Sequence, residues 1–153
     1  MTRADKAKEL FMSGYACSQA VALAFVDLTG VDYVTMQKIS LPLGGGVSRL
    51  REICGAVTGM SLIIGLLFSK DENTQENKKN TYAIMQELAR RFKEEKQTLN
   101  CKELLVNAGV NLEVGGAPAD RTTQYYHHRP CEEIVYIAAR ILEEYLIEKN
   151  IIN

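Results

Sequence analysis

The chain has 153 residues, of which 46% are hydrophobic, 24% charged and 7% aromatic, which suits one globular domain over residues 1–153 with its own core. Eighteen Lys and Arg residues against nineteen Asp and Glu leave a formal net charge of -1, so no overall basic field is available to hold nucleic acid or an anionic membrane. No apolar run reaches the roughly 18 residues of a transmembrane helix, and the charged start lacks the apolar centre of a secretory signal. We therefore expect a cytoplasmic protein without membrane insertion or nucleic-acid binding.

The first 40 residues predict three helices. Apolar residues recur at spacings of 3 and 4, which is the pattern of one buried helix face. The predicted helices cover 4–12, about 16–29 and about 35–39. Gly44, Gly45 and Gly46 then break the chain, and a tight turn is favoured there over a phosphate-binding loop because the Lys and Ser/Thr of a P-loop are missing.

A long helix is predicted from Arg49 to Phe68, with Ser48 as its N-cap. Its second half carries no charge, and a helix that is apolar all round is a buried one. Gly55 and Gly59 lie in it at the spacing used for close helix contact, with packing inside the chain favoured over a dimer axis. The fold class that follows is all-α, a single-domain orthogonal bundle of about six helices around this buried, glycine-rich central helix.

The second half of the chain predicts three more elements. An amphipathic stripe indicates a helix that ends near Lys96, and Asn100 with Glu103 resembles a capping box that would start a helix over 101–107. Residues 109–129 are predicted to form a long irregular segment, of the kind that is often functional or mobile. Pro130 then sets the start of a last helix, with Cys131 as its second residue.

The four cysteines, at positions 17, 54, 101 and 131, are the most informative residues. They are 37, 47 and 30 positions apart, so no closely spaced metal motif is present and any shared site must be assembled by the fold. Cys17, Cys101 and Cys131 fall in predicted first turns of helices, where free amides and the helix dipole lower a thiol pKa. Cys54 is expected about two turns into the central helix. Spacing and position alone support a common site and four separate buried cysteines equally.

The cysteine pattern resembles a known family of redox-active proteins, which is named for one Cys, a GCAxxG-type motif and two further Cys. The motif stands here as Cys54-Gly55-Ala56-Val57-Thr58-Gly59, with the Cys before the Gly, and the other three cysteines match in TyrAlaCysSerGln, CysLysGluLeuLeu and ArgProCysGluGluIleVal. The resemblance implies an all-helical domain in which the four cysteines meet in an oxidoreductase-like or metal-binding role.

Three functions remain open. The first is thiol redox chemistry, as in a thiol-dependent oxidoreductase that needs no cofactor, with all four cysteines as candidate catalytic residues and an unknown redox partner or small molecule. The second is a metal-binding protein in which the four thiolates hold an iron-sulfur cluster or zinc, His128 is a weak further ligand, and Gly55 and Gly59 allow close approach of the cofactor. The third is a helical interaction module with buried structural cysteines, in which a second subunit partly covers the apolar helix over 56–68. That apolar helix is the reason for expecting a homodimer.

Cys131 is predicted to react first among the thiols. Arg129 adds positive charge beside it, and His127 or His128 could take its proton, although a His pair in a polar loop is more often solvated. The basic residues Arg49, Arg51, Arg90 and Arg91 have acidic neighbours in sequence and are expected on solvated helix faces.

Overall fold

The protein is all-α in a computed structural model that describes all 153 residues, with eight helices and no strand. The helices are α1 (Arg3–Met12), α2 (Cys17–Leu23), α3 (Tyr33–Ser40), α4 (Gly55–Phe68), α5 (Gln75–Lys96), α6 (Cys101–Asn107), α7 (Thr123–His128) and α8 (Cys131–Glu148). Short 3-10 turns cover Val26–Leu28 and Leu41–Leu43. None of the helices combines the length and the apolar character needed to cross a membrane.

Five of these helices have a polar N-cap residue whose side chain accepts a hydrogen bond from a first-turn amide. They are Thr2, Asp32, Thr74, Asn100 and Thr122. The Asn100 side-chain oxygen accepts from the Glu103 amide at 3.0 Å, and α6 has the bounds that the capping pattern predicts.

The core lies between α1, α2, α4, α5 and α8. Helix α1 packs along α8, and α2 packs along α4. The side chains buried between these helices include Phe11, Phe25, Met60, Phe92 and Leu142, each less than 2% exposed. Helix α4 contacts α2, α5 and α8, but α8 contacts α1, α2, α4 and α5. The all-α fold class is confirmed, whereas the expectation of one glycine-rich central helix is not, because α8 is as much a centre of the packing as α4.

The predicted long helix over 49–68 is wrong in its first part. Helix α4 begins only at Gly55, and five consecutive residues from Gly45 to Arg49 have positive φ, as does Arg51. This left-handed turn is closed by amides of residues 51 and 52, which donate to the carbonyl oxygens of Gly45 at 3.2 Å and Gly46 at 2.9 Å. Ser48 is therefore not an N-cap. We call residues 44–54 the arginine loop.

Other differences arise where local patterns are weak. The second helix ends at Leu23 and continues as a 3-10 turn, and α5 begins seven residues before the apolar stripe, in a polar stretch capped by Thr74. The irregular segment 109–129 contains the short helix α7 near its end. The structure therefore has eight helices where about six were expected.

Candidate functional site

All four cysteines line one cavity with a volume of about 430 Å³. Each is a free thiol; Cys54 and Cys101 are 6% and 8% exposed, whereas Cys17 and Cys131 are half-buried. Residues that are up to 114 positions apart in sequence thus meet at one place, as a shared site requires.

Every one of these cysteines stands at the start of a helix. Cys17, Cys101 and Cys131 are the first residues of α2, α6 and α8, and Cys54 occupies the N-cap position of α4. The prediction that Cys54 lies two turns inside a helix is wrong because the arginine loop occupies those two turns. The correction extends the helix-start placement from three cysteines to four.

A short antiparallel bridge between Ile53 and Asn100 holds two of the helix starts side by side. The amide of Cys54 donates to the Leu99 carbonyl at 2.8 Å, and the amide of Cys101 donates to the Glu52 carbonyl at 2.7 Å. These two bonds fix the starts of α4 and α6 relative to each other, and with them the cysteine that begins each helix.

Two glycines make room for two of the cysteines. A Cβ atom on Gly55 would lie 2.5 Å from the sulfur of Cys17, and one on Gly46 would lie 2.7 Å from the Cβ of Cys101. Real side chains do not tolerate such separations, so each cysteine packs directly on glycine backbone. Gly59 is different: it allows α4 to approach the Ser18 carbonyl on α2, and it does not line the cavity.

The charged residues that line the cavity are four arginines, Arg49, Arg51, Arg121 and Arg129, and no Asp, Glu, Lys or His is among the lining residues. Arg51 is only 5% exposed; its Nε donates to the Glu113 carbonyl at 2.9 Å, and its Nη1 lies 3.7 Å from the sulfur of Cys101.

The expectation that Arg49 and Arg51 lie on a solvated helix face is therefore wrong. It assumed that residues 49–54 are helical, and the left-handed turn instead directs both side chains inward. Arg90 and Arg91 do lie on a helix, α5, where both pair with Glu87.

The segment 109–122 covers one side of the cavity, and it is bonded both to the arginine loop and to residues 11 and 15. Arg49 donates to the Ala117 carbonyl and lies 3.5 Å from a carboxylate oxygen of Glu113. Arg121 donates to the carbonyls of Phe11 at 3.1 Å and Tyr15 at 3.0 Å. Its guanidinium also lies 4.5 Å from the ring centroid of Phe11, a cation–π contact. The positions of these two arginines and of the segment thus depend on each other.

Burial governs the acidity of the thiols. It raises the pKa of Cys54, with the nearby Cys17 as the next cause, and it raises the pKa of Cys131 to about 12. Burial also raises the pKa of Cys101, although the guanidinium of Arg51 opposes this rise. The prediction that Cys131 reacts first depended on a lowered pKa, and this premise is wrong. Arg129 and Arg121 do lower the pKa of Cys131, but burial outweighs them.

His127 and His128 are exposed, with their rings 5.3 Å apart, and neither lines the cavity. The structure therefore does not bring either imidazole to the four thiols. No three Cys, His, Asp or Glu side chains form a group that could hold a metal ion. The thiol sulfurs suit zinc or an iron-sulfur cluster chemically, but their arrangement does not fit such a group.

Comparison with known proteins gives one match. The family model described as "Putative redox-active protein (C_GCAxxG_C_C)" matches residues 15–145, a range that contains all four cysteines and all four cavity arginines. No curated protein and no solved structure matches the chain.

Proposed function

The chain belongs to the redox-active C_GCAxxG_C_C family, and from that premise we propose that it is a thiol–disulfide exchange protein whose reacting pair is Cys17 and Cys54. The observation that carries the proposal is the meeting of four free thiols in one cavity. Four separate structural cysteines would have no reason to share a cavity, or to stand together at four helix starts.

The pairing of Cys17 with Cys54 is supported by the close approach at Gly55. The Cys17 sulfur lies against the backbone of Gly55, the residue that directly follows Cys54. Among the other cysteines, Cys17 also has the largest effect on the pKa of Cys54. Since Cys17 is half-buried and Cys54 is buried, a small molecule in the cavity reaches Cys17 more readily than Cys54, and Cys54 is suited to react second.

The chemistry balances with a low-molecular-weight disulfide as the oxidant. The Cys17 thiolate attacks one sulfur of the disulfide, which breaks the S–S bond and releases one thiolate while a mixed disulfide forms. The Cys54 sulfur then attacks Cys17, which releases the second thiolate. Two protons from the cysteines pass to the two leaving thiolates, so the protein loses two electrons and the small disulfide gains them.

Thiol counting combined with peptide mapping tests this proposal. The reduced protein is treated with the uncharged bis(hydroxyethyl) disulfide, free thiols are blocked, and the digest is analysed by mass spectrometry. Trypsin places the four cysteines in four different peptides, so each pairing has its own mass. We expect two thiols to be lost and the peptides of Cys17 and Cys54 to be joined. Cys17→Ser should abolish this product, whereas the matched variant Cys131→Ser should retain it.

Two results would overturn the proposal. Four thiols that stay free after prolonged treatment, while the unfolded chain reacts, would reject exchange chemistry. About one equivalent of iron or zinc in the anaerobically purified protein, lost on removal of any of the four cysteines, would establish metal binding instead.

A further inference from the structure

The charge of the cavity lining points to the ligand class. We infer that the cavity binds small organic anions through Arg51, Arg129 and Arg49, and that the small-molecule disulfide exchanged there carries carboxylates. The second part rests on the proposed thiol–disulfide function, whereas the first part does not.

Arg51 is the strongest element of the argument. The residue is only 5% exposed, no carboxylate lies within ion-pair distance of it, and its hydrogen-bond partners are one carbonyl oxygen and one sulfur. A buried charge is stable only when it is paired or well hydrogen-bonded. Its Nη2 makes no hydrogen bond within the protein and is not fully enclosed, so it is open to a ligand in the cavity that Arg51 lines. An anion in the cavity would supply the missing partner.

Arg129 and Arg49 add further positive charge to the cavity wall that contains Arg51. Arg129 forms no ion pair, stacks on the Tyr125 ring at 4.9 Å, and lies close enough to lower the pKa of Cys131 and Cys101. Arg49 has one carboxylate neighbour, the exposed Glu113, and its buried Nε has no hydrogen-bond partner. Arg121 contributes charge, but its terminal nitrogens are already bonded to two carbonyl oxygens.

The rest of the lining indicates an organic anion rather than a bare inorganic ion. Apolar side chains that include Phe11, Leu41, Leu104 and Ile134 line the remaining wall. The volume of about 430 Å³ lies in the range of small-molecule pockets. A ligand with an apolar body and a carboxylate would therefore match both parts of the surface, and guanidinium groups bind carboxylates through paired hydrogen bonds.

Three disulfides of similar size and different charge test the inference: dithiodipropionate, which is dianionic, bis(hydroxyethyl) disulfide, which is neutral, and cystamine, which is dicationic. Each rate of thiol loss is divided by the rate of the same disulfide with the uncharged thiol N-acetylcysteinamide, which corrects for differences in intrinsic reactivity. We expect the corrected rate to be at least about tenfold higher for the dianion than for the neutral compound, as charge-assisted hydrogen bonds allow. Cystamine should be the slowest.

Arginine variants identify the origin of the preference. Arg129→Gln should reduce the ratio of the corrected rate of the dianion to that of the neutral disulfide about threefold. Arg51→Gln should have a larger effect, and circular dichroism checks that it folds. Arg90→Gln is the matched control, since Arg90 is exposed on α5 and pairs only with Glu87 and Glu94. The inference is overturned if the ratio of the corrected rates for the dianion and the neutral disulfide is the same in Arg129→Gln and in the unchanged protein.

Binding of thiodipropionate, a dicarboxylate without a disulfide, separates the inference from the proposed function. Isothermal calorimetry on the reduced protein should detect it, with weaker binding to Arg129→Gln. Binding without any exchange would leave the anion site in place and reject the thiol function. If the corrected exchange rates do not depend on the charge of the disulfide and thiodipropionate does not bind, the thiol function stays in place and the anion site is rejected.

Discussion

The contact between Gly55 and Cys17 makes a sharp prediction about stability. In Gly55→Ala the new Cβ would lie 2.5 Å from the Cys17 sulfur, 3.0 Å from the Leu43 carbonyl oxygen and 3.2 Å from the Cα of Gly44. Two of these neighbours are backbone atoms, which move only if the chain at residues 43 and 44 moves. We expect the substitution to destabilise the protein, although alanine is normally the better helix residue.

The magnitude follows from two opposing effects. Forcing a methyl group into a filled space typically costs about 1–3 kcal/mol. The gain in helix propensity from Gly to Ala is at most about 1 kcal/mol, and it is smaller at the first residue of a helix. The net loss should be about 1–2 kcal/mol, or a fall in Tm of roughly 2–8 °C for a chain of this size.

Gly65→Ala is the matched control because it lies in the same helix. No atom would lie within 4 Å of its new Cβ, and its φ is not positive, so only the propensity gain remains. We expect this variant to be about 0.5–1 kcal/mol more stable than the parent. Urea unfolding of both variants measures the difference. A Gly55→Ala protein as stable as Gly65→Ala would show that Cys17 does not pack on the backbone of α4, and the pairing proposed for Cys17 would lose its main support.

Two further predictions concern the helix starts. Asn100→Ala removes the cap bond to the Glu103 amide, and urea unfolding should show a loss of about 1 kcal/mol. Stability should also fall at alkaline pH, because burial raises the pKa of Cys131 from its ordinary 9.0 to about 12. The stabilising contribution of the neutral thiol is complete below pH 9 and is lost as the pH rises toward 12, since the unfolded chain releases the proton first. Urea unfolding at several pH values from neutrality upward measures this decline.

Each of these predictions has its own control. For the cap, the control is Lys102→Ala at an exposed residue of α6, which should leave the free energy of unfolding nearly unchanged. An equal loss of stability in Asn100→Ala and Lys102→Ala would argue against the cap bond. Cys131→Ala should make the alkaline decline shallower. An unchanged decline would mean that Cys131 does not titrate abnormally in the folded protein.

The parts of the fold that could be predicted from the sequence are those fixed by neighbours in the chain. The cap at Asn100 and the bounds of α6 depend on a contact over three residues, and the start of α8 depends on Pro130. The placement of three cysteines at helix starts followed from such local signals. These interactions hold in any surroundings, so a single sequence reveals them.

The arginine loop could not be predicted in this way because its partners are remote. Arg51 is buried by a bond to the Glu113 carbonyl, 62 positions away, and Cys54 is held by the Leu99 carbonyl. Local patterns around Ser48 favour a helix, and these long-range contacts override that preference. Three consecutive glycines were the one signal of unusual backbone, yet a glycine run does not specify a left-handed turn.

The strain in this loop connects the backbone to the site. Four residues with side chains, Val47, Ser48, Arg49 and Arg51, have positive φ, at about 1–2 kcal/mol each. A right-handed helix over the same residues would avoid this cost, but it would break the bonds from residues 51 and 52 to Gly45 and Gly46. It would also take Cys54 away from the start of α4. The strained conformation is therefore what puts two guanidinium groups and the Cys54 thiol at the same cavity, and backbone strain of this kind concentrates at functional sites.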